Sequence, residues 1–345
     1  MYKKWFFKTT LPTISILLFI GVFNYFIDPL WSFNHSHKFN DYQNAFNERQ
    51  QKTNYINFHK FSYDSLLLGS SRTTYINQND FEGYKVYNYA VSSMSVQEYN
   101  EFIDYAKKEN GSEFKTIIIG LDFFATSKSR IPEDPSIYFN KTNEFLYRYK
   151  TLLSIDTLKY SIMNFFASYK NEYNPSFLRY YTRENVANEN PESNNDTEKS
   201  IEKTVERYKQ NVYGKNYSYN NNYIDILQEL KIKNSNTNFI VFTTPVSASL
   251  YNTLIEEGRL NDYKRWLKDI VSVFGEVYHF MYINSVTENI SNYYDGHHYH
   301  PKVGTLIAHK ITNYPDRNIP NDFGILLNKK NIHIYLDKLE NNFIK

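Results

Sequence analysis

The sequence predicts an α/β fold: a three-layer α/β/α sandwich around a central parallel sheet of five strands, preceded by one transmembrane helix. Three observations predict it. Short runs that are apolar throughout, such as Thr116-Ile117-Ile118-Ile119-Gly120, read as strands buried on both faces of a parallel sheet. These runs alternate with helical patterns such as Leu260 to Val273, which implies βα units. The stretch from Thr9 to Ile27 is mostly apolar over about 19 residues, near the length that spans a bilayer.

Taken in order, Lys3, Lys4 and Lys8 precede the apolar stretch and favour a cytoplasmic N-terminus. Trp5 and Trp31 stand at its two ends, where interfacial aromatics are expected. A cleaved signal peptide is the alternative, but Asp28-Pro29-Leu30-Trp31 follows where a small-x-small cleavage site would stand. Residues 1–31 therefore read as a stub and anchor, with the remaining chain on the extracytoplasmic face of a bacterial cytoplasmic membrane. Residues 32–60 read as a polar, Asn-rich linker with one short helix. The first strand is Asp64 to Leu68, ended by Gly69, and the second is Lys85 to Ala90. Ser95 and Glu98 form a capping box for a helix running to about Lys108. The third strand begins at Thr116.

Residues 145–235 break the rhythm and read as a polar helical insertion. Its helices are expected at Leu152 to Tyr169, Thr197 to Gln210 and Tyr223 to Ile232, with a solvated Asn-rich stretch at 190–196. The fourth strand is Phe239 to Thr243, and the fifth is Val277 to Ile283. A helix follows from Pro301 to about Ile311. The sheet domain thus covers 61–315, and 316–345 is a polar tail with one patterned stretch at Ile332–Leu339.

Composition excludes several classes. A net charge of +2 argues against a broad nucleic-acid footprint, which needs a clustered basic surface. The absence of cysteine removes disulfides, thiolate metal sites and cysteine nucleophiles. No cofactor is expected.

Right-handed crossovers place the C-terminal ends of parallel strands on one edge, where ligands bind. The chemically informative residues fall there: Ser71 after strand one, Ser93 after strand two, Asp122 after strand three, and Asp295 with His298 after strand five. Gly69 allows a sharp turn that presents Ser71 at a helix N-terminus, where N–H groups favour developing negative charge. A serine hydroxyl needs a base, and the Asp295–His298 spacing lets His298 face the serine while Asp295 holds its other nitrogen. Each motif has a plainer reading. Ser70 or Ser71 caps a helix, Asp-x-x-His sits on a surface loop, or His297, His298 and His300 form a weak metal site. The metal reading is disfavoured because no carboxylate–His spacing elsewhere completes it. Arg72 binds an anionic glycan or pairs with a surface carboxylate.

Gly69-Ser70-Ser71, Asn88-Tyr89-Ala90-Val91-Ser92-Ser93, Gly120-Leu121-Asp122 and Asp295-Gly296-His297-His298 together resemble the four sequence blocks of the SGNH hydrolase (GDSL-type esterase) superfamily. The resemblance covers roughly 60–312 and implies a flavodoxin-like SGNH fold with a Ser71–His298–Asp295 triad. It implies an oxyanion hole from the backbone N–H groups of Ser71 and Ser93, with a side-chain donor from the third block. Three positions depart from the family pattern. Ser70 replaces an Asp, Ser93 replaces a Gly, and Asp122 stands where an Asn side chain donates. The domain after an N-terminal span resembles SGNH-like accessory proteins of bacterial cell-envelope polysaccharide O-acylation. That implies a serine acyltransferase or esterase with a glycan acceptor, served by a multi-pass membrane-bound O-acyltransferase. The alternatives are a degenerate module that binds glycan or that partner without chemistry, and a tethered esterase of small free esters.

Overall fold

Leu66, Leu67, Leu68, Ile117, Ile118 and Ile119 are all fully buried, as continuous apolar strands covered on both faces must be. In the computed structural model, which describes residues 2–44, 47–190 and 196–343, they belong to one of two units into which the chain divides. That unit is Ser62–Asp134 with Asn194–Lys345; the other is Met1–Phe61 with Pro135–Ser193.

The sheet unit contains β1 (Ser65–Leu68), β2 (Val86–Asn88), β3 (Thr116–Leu121), β4 (Asn238–Thr243), β5 (Glu276–His279) and β6 (Ile325–Asn328). Their spatial order is β2-β1-β3-β4-β5-β6. The first five are parallel and β6 is antiparallel to β5. The fold is therefore mixed α/β with a mostly parallel sheet of six strands, not five. The sixth comes from the segment expected to be a polar tail. Its four residues, Ile-Leu-Leu-Asn, are too few to show a period. The fifth strand also ends earlier than predicted, at His279. Strand order reverses between β1 and β3, and in open parallel sheets that reversal opens a crevice at the strands' C-terminal ends.

Several helices form where the sequence places them. Ser95 and Glu98 make the capping box, followed by a helix at Tyr99–Asn110 that ends on left-handed Gly111. The Leu260–Phe274 and Pro301–Thr312 helices bury their apolar faces in this unit. The Ala248–Glu256 helix, capped by Ser247, lies in a stretch the sequence left unassigned. The Thr197–Asn211 and Tyr223–Lys233 helices, expected in the insertion, belong to the sheet unit and bury Ile201, Thr204, Tyr208, Tyr223, Leu227 and Leu230.

The end of β5 is held by buried His279. Its Nδ1 lies 2.9 Å from Thr243 Oγ1, and its Nε2 lies 3.0 Å from the hydroxyls of Tyr263 and Tyr335. Tyr335 lies on the C-terminal helix Ile332–Phe343, so the supposed tail is part of this core.

The other unit begins with the helix Tyr2–Ile27, the one helix among the described residues long and apolar enough to cross a membrane. Its end is set firmly into the fold. Asp28 carboxylate oxygens accept the N–H groups of Ser32 and Phe33 at 2.8 and 3.0 Å, and Arg183 Nη2 at 2.7 Å. Trp31, expected at a membrane interface, is buried instead and donates its indole N–H to Gln43 at 2.9 Å. Residues 32–60 are no linker. The Glu48–Phe58 helix is buried along most of its length despite its polar sequence, because side chains such as Gln51 and Asn54 bond the carbonyls of Pro29 and Leu30. The Ile155–Lys170 helix follows a Thr151–Leu153 turn. Residues 191–195 of the Asn-rich stretch lie outside the described residues.

Burial pushes His279 down from 6.5 to about 3. Between those values the unfolded chain binds a proton that the fold excludes, so stability falls as pH drops through that window. The melting temperature of the detergent-solubilised protein should decline from pH 6.5 toward pH 4, and the decline should be shallower in His279→Gln. An unchanged slope in the variant would rule His279 out as the source.

Candidate active site

The turn after β1 carries Ser71. No α-helix starts there; a single 3-10 turn, Thr73–Tyr75, follows Arg72. The helix N-terminus expected to favour charge at Ser71 is thus absent. Gly69 does not bend the chain through a left-handed angle either. It is required because a Cβ there would overlap the Thr73 side chain, and the same side chain presses on Gly120 of β3. Thr73 locks the turn onto β1 and β3 together.

The Asp295–His298 segment is built locally. A bridge pairs Tyr293 with Tyr299, and Tyr294 N–H donates to His298 C=O at 2.9 Å. Inside this loop Asp295 Oδ1 accepts the backbone N–H groups of His297 and His298 at 2.9 and 2.7 Å. Such an Asx-type turn fixes the carboxylate over its own loop. The other oxygen, Oδ2, then lies 3.0 Å from His298 Nδ1. Ser247 N–H, after β4, donates to Gly296 C=O at 3.0 Å and ties the loop to the sheet edge.

These loops bring three side chains into one chain of contacts. Ser71 Oγ lies 2.9 Å from His298 Nε2, and His298 Nδ1 lies 3.0 Å from Asp295 Oδ2. With Nδ1 donating to the carboxylate, Nε2 is the acceptor that faces the hydroxyl. The ring of Tyr75 packs edge-on to His298 at 5.9 Å. Burial alone would raise the Asp295 carboxyl, but His298 and His297 outweigh it and hold it well below the ordinary carboxylate range. Asp295 stays ionised beside the imidazole. Burial and then the neighbouring His298 push His297 down to about 3, so it is neutral at physiological pH.

Ser93 has φ 59°, the left-handed conformation that glycine adopts most freely. Its carbonyl accepts Arg130 Nη2 at 2.8 Å, which anchors the loop after β2.

Two expected roles change. Asp122 is no hydrogen-bond donor: its Oδ1 accepts Arg72 Nη1 at 3.0 Å and also bonds the Thr244 hydroxyl. Arg72 is not on the surface. Its side chain is 0% exposed and that of Asp122 3%. Its Nη2 donates to the Tyr208 hydroxyl at 3.1 Å, and its guanidinium lies 5.0 Å from the Phe124 ring centroid. Tyr208 and Thr244 were missed from sequence. For Tyr208 a signal existed: Ile201, Thr204 and Tyr208 recur at helical spacing along an otherwise charged segment.

Asp295, His297 and His298 are also the group, among the described residues, whose donor atoms cluster within 4.8 Å as a metal site requires. Those donors point at one another, and Arg207 Nη2 lies 3.4 Å from His297 Nδ1, which disfavours a cation. The His300 ring lies against that of Tyr294, centroids 4.0 Å apart, instead of joining them.

Chemically, a hydroxyl in contact with an imidazole that a carboxylate orients can lose its proton while attacking an acyl carbon. No protein-family model matches the chain, and no curated protein matches it.

Two outcomes follow. Arg72→Ala leaves Asp122 buried without its partner and should cost about 3–5 kcal/mol in chemical denaturation. Asp122→Asn, which keeps an oxygen facing Arg72, should cost less; equal stability of Arg72→Ala and wild type would exclude a buried pair. Gly69→Ala should destabilise by about 1–3 kcal/mol through overpacking, and adding Thr73→Gly, which also removes the Thr73 Cβ that the new one would overlap, should recover part of the loss. A double variant no better than the single one would sink the close-packing account.

Proposed function

We propose that the sheet unit is an SGNH-type serine enzyme, a three-layer flavodoxin-like domain that moves acyl groups on cell-envelope or extracellular polysaccharide. The observation that carries this reading is the Ser71–His298–Asp295 contact chain, at 2.9 and 3.0 Å, beside the C-terminal end of β1. Ser71 Oγ attacks the acyl carbonyl and His298 Nε2 takes its proton. Asp295 orients the imidazole and stabilises its cation. The tetrahedral oxyanion accepts from the backbone N–H groups of Ser71 and Ser93; losing one such donor typically costs about 2.7–4 kcal/mol. Collapse breaks the bond to the leaving oxygen, which takes the proton from His298, and leaves an acyl-Ser71 ester. A sugar hydroxyl, deprotonated by His298, then attacks the ester and frees Ser71; water in its place gives hydrolysis. A multi-pass O-acyltransferase is the proposed acyl source.

The N-terminal helix is proposed as an uncleaved single-pass anchor in the bacterial cytoplasmic membrane, with Lys3, Lys4 and Lys8 inside. Burial of Asn24 and Ile27, with Asn24 bonded to Leu152 and Ser161, supports this, because cleavage after the apolar run would remove both packed residues.

A second reading has its own support. Arg72 and Thr244 occupy the Asp122 carboxylate, so the third block offers no side-chain donor, as in a module that binds glycan or a membrane partner without chemistry.

A fluorophosphonate probe distinguishes them. The enzyme reading expects a phosphonylated Ser71, mapped by mass spectrometry and lost in both Ser71→Ala and His298→Ala. A folded protein that forms no adduct would overturn it in favour of the binding module.

A further inference from the structure

The unit that carries the anchor helix exposes a second apolar feature. Between the short Ser136–Thr142 helix and the start of the Ile155–Lys170 helix, the chain turns through Tyr147–Lys150 and Thr151–Leu153. Along this path Phe145 is 81% exposed, Leu153 54% and Ile155 79%, with Leu146 and Tyr149 also exposed. In water such a cluster is unfavourable, and a contiguous apolar patch marks an interaction surface.

What lies against the patch is legible from its position along the anchor. Leu153 packs on Gly21, its Cδ2 3.6 Å from where a side chain at 21 would begin. Asn24 Nδ2 donates to Leu152 C=O at 2.8 Å, and Asn24 Oδ1 accepts the Ser161 hydroxyl at 2.8 Å. A groove of about 490 Å³ runs between Tyr149, Leu152 and Leu153 and the helix face of Leu17, Gly21 and Tyr25. Lys8 is the last charged residue before the apolar run. A hydrocarbon core of about 30 Å takes about 20 residues of helix, which from Thr9 reaches Asp28. Gly21 then lies about 10 Å inside that boundary at about 1.5 Å per residue, and Leu153 lies at the same depth.

We propose that residues 145–155 are a second membrane contact, dipping into the leaflet from which the anchor emerges and clamped there by Asn24. The inference rests on reading Tyr2–Ile27 as a membrane span. Its occupant is lipid: Tyr149, Leu152 and Leu153 share one apolar groove with the anchor side chains Leu17, Leu18 and Val22, which face hydrocarbon in that reading. The backbone suits the setting. Tyr149 N–H bonds Leu146 C=O at 2.9 Å, Ser154 N–H bonds Thr151 C=O at 3.1 Å, and Asn24 takes the Leu152 carbonyl. An asparagine amide within a span needs partners of this kind, since an unpaired one is costly in hydrocarbon. Exposed Lys150 has a stem long enough to reach the phosphates.

The cysteine-free chain permits single nitroxide labels on the full-length protein in phosphatidylcholine vesicles. Phe145→Cys, Leu153→Cys and Ile155→Cys are compared with Ile16→Cys in the anchor and Lys108→Cys on the sheet unit. Accessibility to oxygen reports lipid, and accessibility to a nickel chelate reports water. The three labels should match Ile16, with a high oxygen-to-nickel ratio, while Lys108 shows the reverse. Adding Asn24→Leu should move the Leu153 label toward the nickel chelate. If Ile16 is lipid-like while the three labels meet nickel, the inference fails and the anchor stands. Labels shielded from both reagents would mean protein covers the patch, which also overturns it. An Ile16 label in water would remove the anchor reading and the inference with it.

Discussion

The buried ion pair of Arg72 and Asp122 is the constraint around which the sheet edge is organised. It joins the turn after β1, the end of β3, Thr244 after β4 and Tyr208 of the Thr197–Asn211 helix. Taking both charges out of water costs several kcal/mol per ion, offset here through Nη1 and Nη2 of Arg72, while its Nε is buried without a partner among the described residues. Such pairing demands fixed positions for four separate segments. Ser71 is the residue immediately before Arg72, so its place is held by the same geometry. Thr73, wedged against Gly69 and Gly120, holds the other side of that turn.

The remaining two members of the contact chain are organised differently. Asp295 and His298 share a loop whose geometry comes from an Asx-type turn and a pair of tyrosines, interactions spanning only a few residues. Their side chains are therefore mutually oriented before the serine is considered. The long-range step is the meeting of this loop with Ser71, 227 positions away in the chain. Strand order reverses between β1 and β3, and the Ser247–Gly296 bond ties the loop to the segment after β4. The ionised Asp295 carboxylate lies behind the His298 imidazole, and burial keeps neighbouring His297 uncharged.

The unit that carries the anchor obeys another economy. Its polar Glu48–Phe58 helix is buried because the Gln51 and Asn54 amides donate to the carbonyls of Pro29, Asn44 and Leu30 and the Gln50 amide to Asn54 and Thr142, so burial there follows hydrogen bonding more than hydrophobicity. Hydropathy alone reads such a segment as solvent-exposed, which is why residues 32–60 looked like a linker. The same limitation hid the membership of the Thr197–Asn211 helix, whose charged face dominates its composition while Tyr208 sits in the core.

What the sequence determined by itself was whatever depends on near neighbours or on solvent preference. The parallel strands at Ser65–Leu68, Thr116–Leu121 and Asn238–Thr243 follow from apolar runs, the capping box from Ser95 and Glu98, and the apolar helix from residues 9–27. The Asp-x-x-His loop follows from spacing. Tertiary structure alone decided that β6 closes the sheet and that Arg72 turns inward to Asp122. It also decided that Tyr208 and Thr244 complete that pair. Those outcomes depend on which distant groups meet once water is excluded. A buried charge or hydroxyl is stable only with a partner, and a single sequence names the groups that need partners without saying which will supply them.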